Sequence, residues 1–274
     1  MSTRRMDIET RTLRFDHGAQ YFTAREPAFI DQVEAWQKAS LAARWPSGGE
    51  EAWVGTPSMN APIRAMADAL GANFSALVEG VSTDGERWKL AGEGLPDRAF
   101  EALVIAVPAE QAAPLLQPHD EGASRLAAAT RSDPCWTLML AFEKRVAIAS
   151  DTIRDIGAIG WAARNNSKPE REPDECWVVQ ATPEWSRSLL EYDAATIASL
   201  LRKEFAAAIG EDLPQVLASS AHRWRYARSG KAGSGHIWNE DVNLGVCGDW
   251  LIAPRVEAAW MSGKALADAI LGFR

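Results

Sequence analysis

Two short segments of the sequence concentrate side chains that could do chemistry. In the segment 15–25 (FDHGAQYFTAR) an acid, an imidazole, an amide, a phenol and a guanidinium lie close together. The segment 222–228 (HRWRYAR) alternates, so His222, Trp224 and Tyr226 share one face of a strand. Such an aromatic face could line a pocket for a planar ligand. The plainer interpretations are a surface loop and a half-buried strand with its arginines in solvent.

A third segment, 244–258 (LGVCGDWLIAPRVEA), predicts a strand that ends at Gly248-Asp249 and is followed by a helix. A glycine lets a bulky group approach the backbone, an aspartate accepts hydrogen bonds from hydroxyls, and a helix N-terminus stabilises an anion. These properties suit an organic cofactor that carries negative charge. The dipeptide alone is more often an ordinary turn, so the helix that follows it matters to the interpretation.

Composition and spacing argue against several other kinds of site. Cys135, Cys176 and Cys247 are odd in number and far apart, so we expect buried thiols rather than disulfides or zinc ligands. No metal site, carboxylate pair or Ser-His-Asp arrangement stands out. The segment 229–235 (SGKAGSG) does not have the order of a phosphate-binding loop. Redox chemistry by an organic cofactor remains.

The net charge and the apolar pattern of the sequence limit which partners and which cellular location are expected. A net charge of -8 argues against nucleic acid, which is bound through basic surfaces. The longest apolar stretch, 102–109, is too short for a membrane helix and contains a proline. The N-terminus has no apolar stretch typical of a secretory signal. We therefore expect a cytoplasmic protein with a small-molecule substrate.

Hydrophobic periodicity predicts the elements that position these segments. The first half of the chain predicts a helix over 27–41 and a hairpin over 74–90 whose turn is Asp84-Gly85. A strand over 101–107 then leads into a helix over 109–116, a step typical of layered α/β proteins.

The second half predicts an antiparallel sheet with helices on one face. Its strands are expected over 135–142, 156–163 and 176–181. Thr182 is expected to cap a short helix, and a longer helix is expected over 193–209. The remaining predicted elements are a strand over 216–226, a strand over 243–247 and a helix over 254–271.

This order predicts a mixed α/β (α+β) fold in which an antiparallel domain is inserted into a domain of nucleotide-binding type. The boundaries are discontinuous along the chain. The predicted cofactor domain comprises 1–30, 58–118 and 228–274, and the predicted substrate domain comprises 31–57 and 119–227.

Three parts of the sequence together resemble the renalase-like members of the flavin-dependent amine-oxidase superfamily. They are MSTRR with FDHGAQYFTAR, WTLMLAFE with AHRWRYAR, and LGVCGDWLIAPRVEAAWMSGKALADAI. The resemblance covers essentially the whole chain and implies FAD as the cofactor of a Rossmann-like domain. In that family MSTRR follows a Gly-Gly-Arg, and a βαβ unit with a GxGxxG loop lies upstream. We therefore expect a truncated FAD-binding domain.

Three origins of this truncation stay open. The first is a gene start placed at an internal methionine, and the second is a shortened form of the protein. The third is a natural variant that forms a homodimer or has lost the cofactor. We favour the first.

The resemblance also implies which residues hold the cofactor. Thr3 and Arg4 would lie near the FAD phosphates, and the backbone of Val78 would meet the adenine. Asp249, after Gly248, would bind the ribityl chain. Two further residues would offer backbone amides to the flavin ring, Val256 and Glu257.

On the substrate side, the candidate catalytic residues come from the two segments described first. Tyr21, His222 and Trp224 are expected to form the wall facing the flavin. Gln20 or Arg225 is expected to orient the substrate by hydrogen bonds. The implied activity is hydride transfer from a misreduced NAD(P)H isomer to flavin and then to oxygen. The alternatives are an amine oxidase and a cofactor-free binding module derived from a flavoprotein.

Overall fold

Strands and helices alternate along residues 1–8 and 11–272, the part of the chain that the computed structural model describes. The predicted mixed α/β fold class is therefore confirmed. These residues divide into two units: the first comprises 1–8, 11–66 and 133–227, and the second comprises 67–132 and 228–272.

Strands and helices of the described residues are numbered in chain order. The strands are Arg4–Ile8 (β1), Arg11–Phe15 (β2), Ala42–Arg44 (β3), Trp53–Gly55 (β4), Leu77–Thr83 (β5), Trp88–Glu93 (β6), Leu103–Ile105 (β7), Asp133–Phe142 (β8), Thr152–Ile156 (β9), Ile159–Arg164 (β10), Cys176–Ala181 (β11), Val216–Arg228 (β12), Ile237–Asn239 (β13) and Leu244–Val246 (β14). The helices are Pro27–Lys38 (α1), Ala61–Ala69 (α2), Ala109–Leu116 (α3), Glu121–Ala129 (α4), Pro183–Ser188 (α5), Ala194–Ile209 (α6) and Val256–Leu271 (α7).

A five-stranded sheet in the order β12-β8-β11-β10-β9 organises the first unit. The pairs β8–β11, β11–β10 and β10–β9 are antiparallel, as predicted. Helix α6 packs on this sheet through Ile197, Leu201 and Phe205, which are fully buried. The ring of Phe205 lies 5.2 Å from that of Trp177 on β11. The expected helix cover on one face is thus confirmed, and it buries the apolar side of the sheet.

The prediction of a single strand over 156–163 is wrong. Strand β9 ends at Ile156 and β10 begins at Ile159, and the two form a hairpin. Asp155 and Gly157 have φ values of 51° and 58°, which turn the chain between the strands. The apolar run IGAIGWAA gives no clear signal of this turn, because Gly157, the first of its two glycines, is as compatible with a strand interior as with a turn.

Strands β1 and β2 form an antiparallel hairpin that sequence periodicity did not predict. Leu13 and Phe15 on β2 are buried against Met139 on β8 and Val178 on β11. This packing places the N-terminal segment in the first unit, whereas the predicted boundaries assign 1–30 to the cofactor domain.

Two shorter segments also differ from the predicted boundaries: 58–66 lies in the first unit and 119–132 in the second. The second difference follows from helix α4, which packs against α3 in one apolar cluster through Ala123 and Leu116. The cofactor and substrate roles of the two domains stay predictions.

The second unit is built around a parallel pair of strands. Strand β14 pairs with β7 in parallel and with β13 in antiparallel orientation. The predicted hairpin is confirmed as β5–β6, and Oδ1 of Asp84 accepts the N–H groups of Glu86 and Arg87 in its turn. Helix α7 packs closely on β14, because a Cβ at Gly245 would lie 2.9 Å from a methyl group of Leu266. In the described ranges no helix is long and apolar enough to cross a membrane.

Candidate functional site

Hydrogen bonds from several segments fix the loop that follows β2. The backbone N–H of Asp16 donates to Oδ1 of Asn165 over 3.2 Å. The side-chain amide of Gln20 donates to the carbonyl of Gly18 over 3.1 Å, and that of Gln180 donates to the same carbonyl over 2.9 Å. The backbone of the loop is therefore held in position by its own Gln20 and by Asn165 and Gln180 from other segments.

A buried charge cluster, formed by Asp16, Lys168 and Arg171, anchors this loop. Arg171 donates to Oδ2 of Asp16 from Nε at 3.0 Å and from Nη2 at 2.7 Å, and Nζ of Lys168 lies 3.4 Å from the same oxygen. Oδ1 accepts the hydroxyl of Thr3 at 2.7 Å and the N–H of Met59 at 3.0 Å. All three charged side chains are at most 3% exposed. One carboxylate thus joins four segments of the first unit.

The charges of this cluster stabilise one another against burial. Burial alone would raise the pKa of Asp16, but the Lys168 ammonium and the Arg171 guanidinium outweigh it and lower the pKa to about 2. Burial lowers the pKa of Lys168 to about 8, although Asp16 opposes this shift. The carboxylate is therefore ionised at neutral pH, and its loss would leave two buried cations without a counter-charge.

A second set of side chains, the imidazole–indole group, consists of His17, His222 and Trp224. The ring centroids of His222 and Trp224 lie 4.4 Å apart, and His17 lies 5.1 Å from each. The indole N–H of Trp224 donates to the carbonyl of His17 over 3.0 Å. A guanidinium nitrogen of Arg4 lies 3.5 Å from Nδ1 of His222. Two residues of the predicted aromatic face, His222 and Trp224, therefore pack against the loop after β2, whereas the third, Tyr226, is exposed.

Both imidazoles of this group are held in the neutral form. Burial lowers the pKa of His17 to about 4, and His222 and Arg4 act in the same direction. Burial and Arg4 also lower the pKa of His222. The group consequently presents neutral rings beside a permanent cation, because guanidinium stays charged.

We expect the stability of the protein to fall as the pH drops from about 6.5 to about 4, in part through His17. The pKa of His17 in the folded protein lies below its value in the unfolded chain, so the unfolded chain binds the proton at a higher pH. Proton binding therefore stabilises the unfolded state relative to the folded one. In His17→Gln this part of the decline should disappear from urea unfolding measured across that pH range. An unchanged slope would show that His17 does not titrate as described.

A second aromatic group in the first unit contains Tyr21, Trp45 and Trp161. The Tyr21 ring lies 5.4 Å from Trp161 and 6.4 Å from Trp45. The guanidinium of Arg154 lies 4.3 Å from the Trp161 ring, and Nζ of Lys168 lies 5.4 Å from the Trp45 ring. The indole N–H of Trp161 is buried and has no partner among the residues that the structure describes. This group borders the buried charge cluster through Lys168.

The predicted catalytic residues are thus divided among different surroundings. His222 and Trp224 lie together, whereas Tyr21 belongs to the second aromatic group. Gln20 is buried, and its Oε1 accepts from the Lys168 ammonium at 3.2 Å. Arg225 makes two hydrogen bonds, of 2.7 and 2.8 Å, to the exposed carboxylate of Glu191. The catalytic roles of these residues stay predictions.

Two of the predicted cofactor residues make contacts within the first unit. The hydroxyl of Thr3 donates to Asp16, and Arg4 at the start of β1 contacts His222. Both side chains are therefore part of the arrangement around the loop after β2. Their expected place near the FAD phosphates stays a prediction.

In the second unit, Gly248 and Asp249 follow β14, as predicted. The N–H of Gly248 donates to the hydroxyl of Ser262 on α7 over 3.0 Å. A Cβ at Gly248 would lie 2.8 Å from the indole of Trp250, so a larger residue would displace that ring. Burial raises the pKa of Asp249. A desolvated carboxylate of this kind binds strongly to hydroxyl donors.

The other predicted cofactor residues also lie in the second unit. Val256 and Glu257 form the first turn of α7, whose N-cap, Arg255, makes no side-chain cap hydrogen bond. Glu257 is 1% exposed, and its carboxylate lies 3.5 Å from Arg255. Val78 lies on β5 opposite Gly92, beside a break in the register of the hairpin. The order of these elements agrees with the prediction, and their contacts to a cofactor stay predictions.

Sequence reasoning did not identify Lys168 and Arg171 as part of the site. Both lie in a charged loop that the pattern alone classifies as a polar turn. Their partner Asp16 is 152 and 155 positions away in the sequence, respectively. No local spacing signals such a contact, so only the fold reveals it.

Comparison with known proteins relates the chain to flavin enzymes. The family described as flavin containing amine oxidoreductase matches residues 15–271. The fold is similar to that of cyclohexylamine oxidase from Brevibacterium oxydans IH-35A, with a TM-score of 0.60 and 13% identity over 82% of this chain and 55% of that one. It is also similar to putrescine oxidase bound to putrescine, with a TM-score of 0.55 and 14% identity over 80% of this chain and 54% of that one.

The chain spans just over half the length of these solved structures. At such low identity the likeness concerns the fold alone, whereas the family match extends over nearly the whole sequence. The chain therefore belongs to the flavin containing amine oxidoreductase family.

Proposed function

We propose that this protein is a renalase-like FAD-dependent oxidoreductase that oxidises a misreduced isomer of NAD(P)H. A bound flavin supplies the acceptor for a hydride from the dihydronicotinamide ring, and oxygen with one proton then takes up the two electrons as hydrogen peroxide. The products are NAD(P)+ and hydrogen peroxide. The residues of this chain would bind and orient the two ring systems.

The observation that carries the proposal is the neutral character of the imidazole–indole group beside a cation. His17 and His222 are neutral at pH 7, and the guanidinium of Arg4 lies 3.5 Å from Nδ1 of His222. A flat, uncharged dihydronicotinamide ring can pack against such rings, and the phosphates of the dinucleotide favour a cationic border. An ammonium group would instead be repelled by Arg4.

The residues of the second unit fit the cofactor that the family description implies. Asp249 offers a desolvated carboxylate to ribityl hydroxyls, and the first turn of α7 offers N–H groups without a side-chain cap. Helix N-termini favour negative charge, which suits the anionic part of a reduced flavin ring. We propose that the backbone of Val78, in the same unit, meets the adenine.

The substrate class can be tested by anaerobic reduction of the FAD-loaded protein at several pH values. An amine must lose its proton before it is oxidised, so its reduction rate should rise about tenfold per pH unit below the amine pKa. The ring nitrogen of a dihydronicotinamide already drives hydride loss, and the rate should change little between pH 6 and 9. Rapid reduction by cyclohexylamine or putrescine, with no reduction by the NAD(P)H isomers, would contradict the proposal.

An amine oxidase is the second candidate, because the family description and the names of two similar solved structures refer to amines. The second aromatic group around Tyr21 offers ring faces that could contact a cation. The reduction experiment separates this candidate from the first.

A cofactor-free binding module is the third candidate. It is favoured by the exposed apolar side chains in the second unit, including Leu70 at 82% and Phe74 at 65% exposure. Failure of the protein to retain any FAD would support it.

A further inference from the structure

We propose that Arg4 locks His222 in the tautomer that carries its proton on Nε2, so that this imidazole is a fixed hydrogen-bond donor to a carbonyl oxygen of the substrate. For an NAD(P)H isomer that oxygen is the carboxamide oxygen of the nicotinamide ring. The identity of the substrate rests on the function proposed above, whereas the tautomer does not. His222 is thereby a specificity-determining residue and not a general base.

The tautomer follows from the chemistry of the two partners. A guanidinium has only N–H donors, and a neutral imidazole has one donor and one acceptor nitrogen. Nη1 of Arg4 lies 3.5 Å from Nδ1 of His222. Nδ1 must therefore be the acceptor, and the proton of the neutral ring resides on Nε2. A proton on both nitrogens would place an imidazolium against the guanidinium, which is unfavourable.

The position of Arg4 is itself determined by its neighbours. The preceding residue, Thr3, donates to the buried carboxylate of Asp16, and the N–H of Gly18 donates to the carbonyl of Ser2 over 3.5 Å. These hydrogen bonds hold the N-terminal segment against the loop after β2. Strand β1 begins at Arg4, which lies opposite Phe15 in the pairing of β1 with β2. The anchored backbone thus positions the guanidinium of Arg4 beside His222.

The other side of His222 is left for a ligand. The ring is held edge-on by Trp224 and by His17, at centroid distances of 4.4 and 5.1 Å. Within residues 1–8 and 11–272, the hydrogen-bond partner of the His222 ring is Arg4, at Nδ1 and not at Nε2. A donor in a half-buried aromatic setting pairs well with a carbonyl oxygen, because an unpaired N–H there costs free energy.

The charged groups near His222 either stabilise its neutral form or are paired with other residues and do not contact the ring. Arg4 approaches from β1, and the neutral His17 approaches from the loop. Asp16, which precedes His17 in the sequence, is compensated by Lys168 and Arg171. On the opposite face of β12, Arg223 and Arg225 are paired with Glu191. No carboxylate therefore contacts His222 to favour an imidazolium in the part of the chain described.

The tautomer can be read directly from long-range 15N–1H correlations of the His222 ring in 15N-labelled protein. We expect the signature of a bare Nδ1 and a protonated Nε2 at pH 7. In Arg4→Met the ring should populate both tautomers, whereas Arg4→Lys, which keeps a donor-only cation, should restore the wild-type pattern. Arg225→Met on the same strand is the matched control and should leave the pattern unchanged. A proton on Nδ1 in the wild-type protein would overturn the proposal.

Recognition of a carbonyl oxygen is tested with nicotinamide as the probe, without any turnover. Titration should shift the His222 Nε2 resonance, and benzylamine should not. His222→Phe should weaken nicotinamide binding by about tenfold, the worth of one neutral hydrogen bond, and His222→Gln should keep most of it. Equal binding to wild-type and His222→Phe would refute the carbonyl contact. Failure to oxidise NAD(P)H isomers, with both tests positive, would refute only the proposed function.

Discussion

Replacing Asp16 by asparagine is expected to lower the free energy of unfolding by about 3 to 5 kcal/mol. The substitution keeps the shape of the side chain but leaves Lys168 and Arg171 buried beside a neutral group. Urea unfolding at pH 7 measures the loss. The double variant Asp16→Asn/Lys168→Met should recover part of it, because removal of one cation relieves the uncompensated charge.

The pH dependence distinguishes this effect from a simple packing defect. The folded pKa of Asp16, about 2, lies below the unfolded value of about 3.9. Its contribution is therefore complete above about pH 4 and is lost as the pH falls toward 2. Asp16→Asn should lack that part of the acid dependence. Glu191→Gln, which removes an exposed ion-pair partner, is the control and should change stability little. Equal losses in the two variants would contradict the account of the cluster.

The second large effect is expected at Asp249. We predict that Asp249→Ala weakens FAD binding by about 10- to 100-fold, the range for loss of a hydrogen bond to a charged group. The carboxylate is desolvated at the end of β14, where an acceptor for ribityl hydroxyls is needed. Quenching of flavin fluorescence during titration of FAD with protein measures the dissociation constant.

The controls for this prediction lie in the same unit. Asp249→Asn keeps one acceptor oxygen and should lose less affinity than the alanine variant. Asp268→Ala removes an exposed carboxylate on α7, which is paired with Lys264, and should leave affinity unchanged. If Asp249→Ala and Asp268→Ala bind FAD alike, Asp249 does not hold the cofactor.

Local patterns predicted much of the fold correctly. The bounds of α3 and the end of α6 agree with the prediction. A proline precedes α3, and Gly210, with φ of 76°, follows α6. The β5–β6 hairpin formed at its predicted Asp-Gly turn. Such signals are encoded within a few residues and do not depend on distant contacts.

Non-local packing limited the rest of the fold prediction. The short strands β1 and β2 have no clear apolar alternation, and their pairing gains most from burial of Leu13 and Phe15 under the main sheet. That burial moves the N-terminal segment into the first unit. Sequence periodicity cannot report a boundary that tertiary contacts decide.

The candidate site was predicted in part for the same reason. The alternation in β12 correctly grouped His222 and Trp224 on one face, because a strand has a fixed period. The partners of that face, His17 and Arg4, come from segments more than 200 positions away. The effect of Arg4 on the protonation of His222 therefore becomes visible only when the fold is known.

The most direct test of the central claim is the visible absorption spectrum of the protein after incubation with FAD and removal of free cofactor by gel filtration. The account predicts that the protein fraction retains the absorption bands of oxidised flavin, and that an NAD(P)H isomer bleaches them in the absence of oxygen. A protein fraction without flavin absorption would contradict the claim that this chain is a flavin-dependent oxidoreductase.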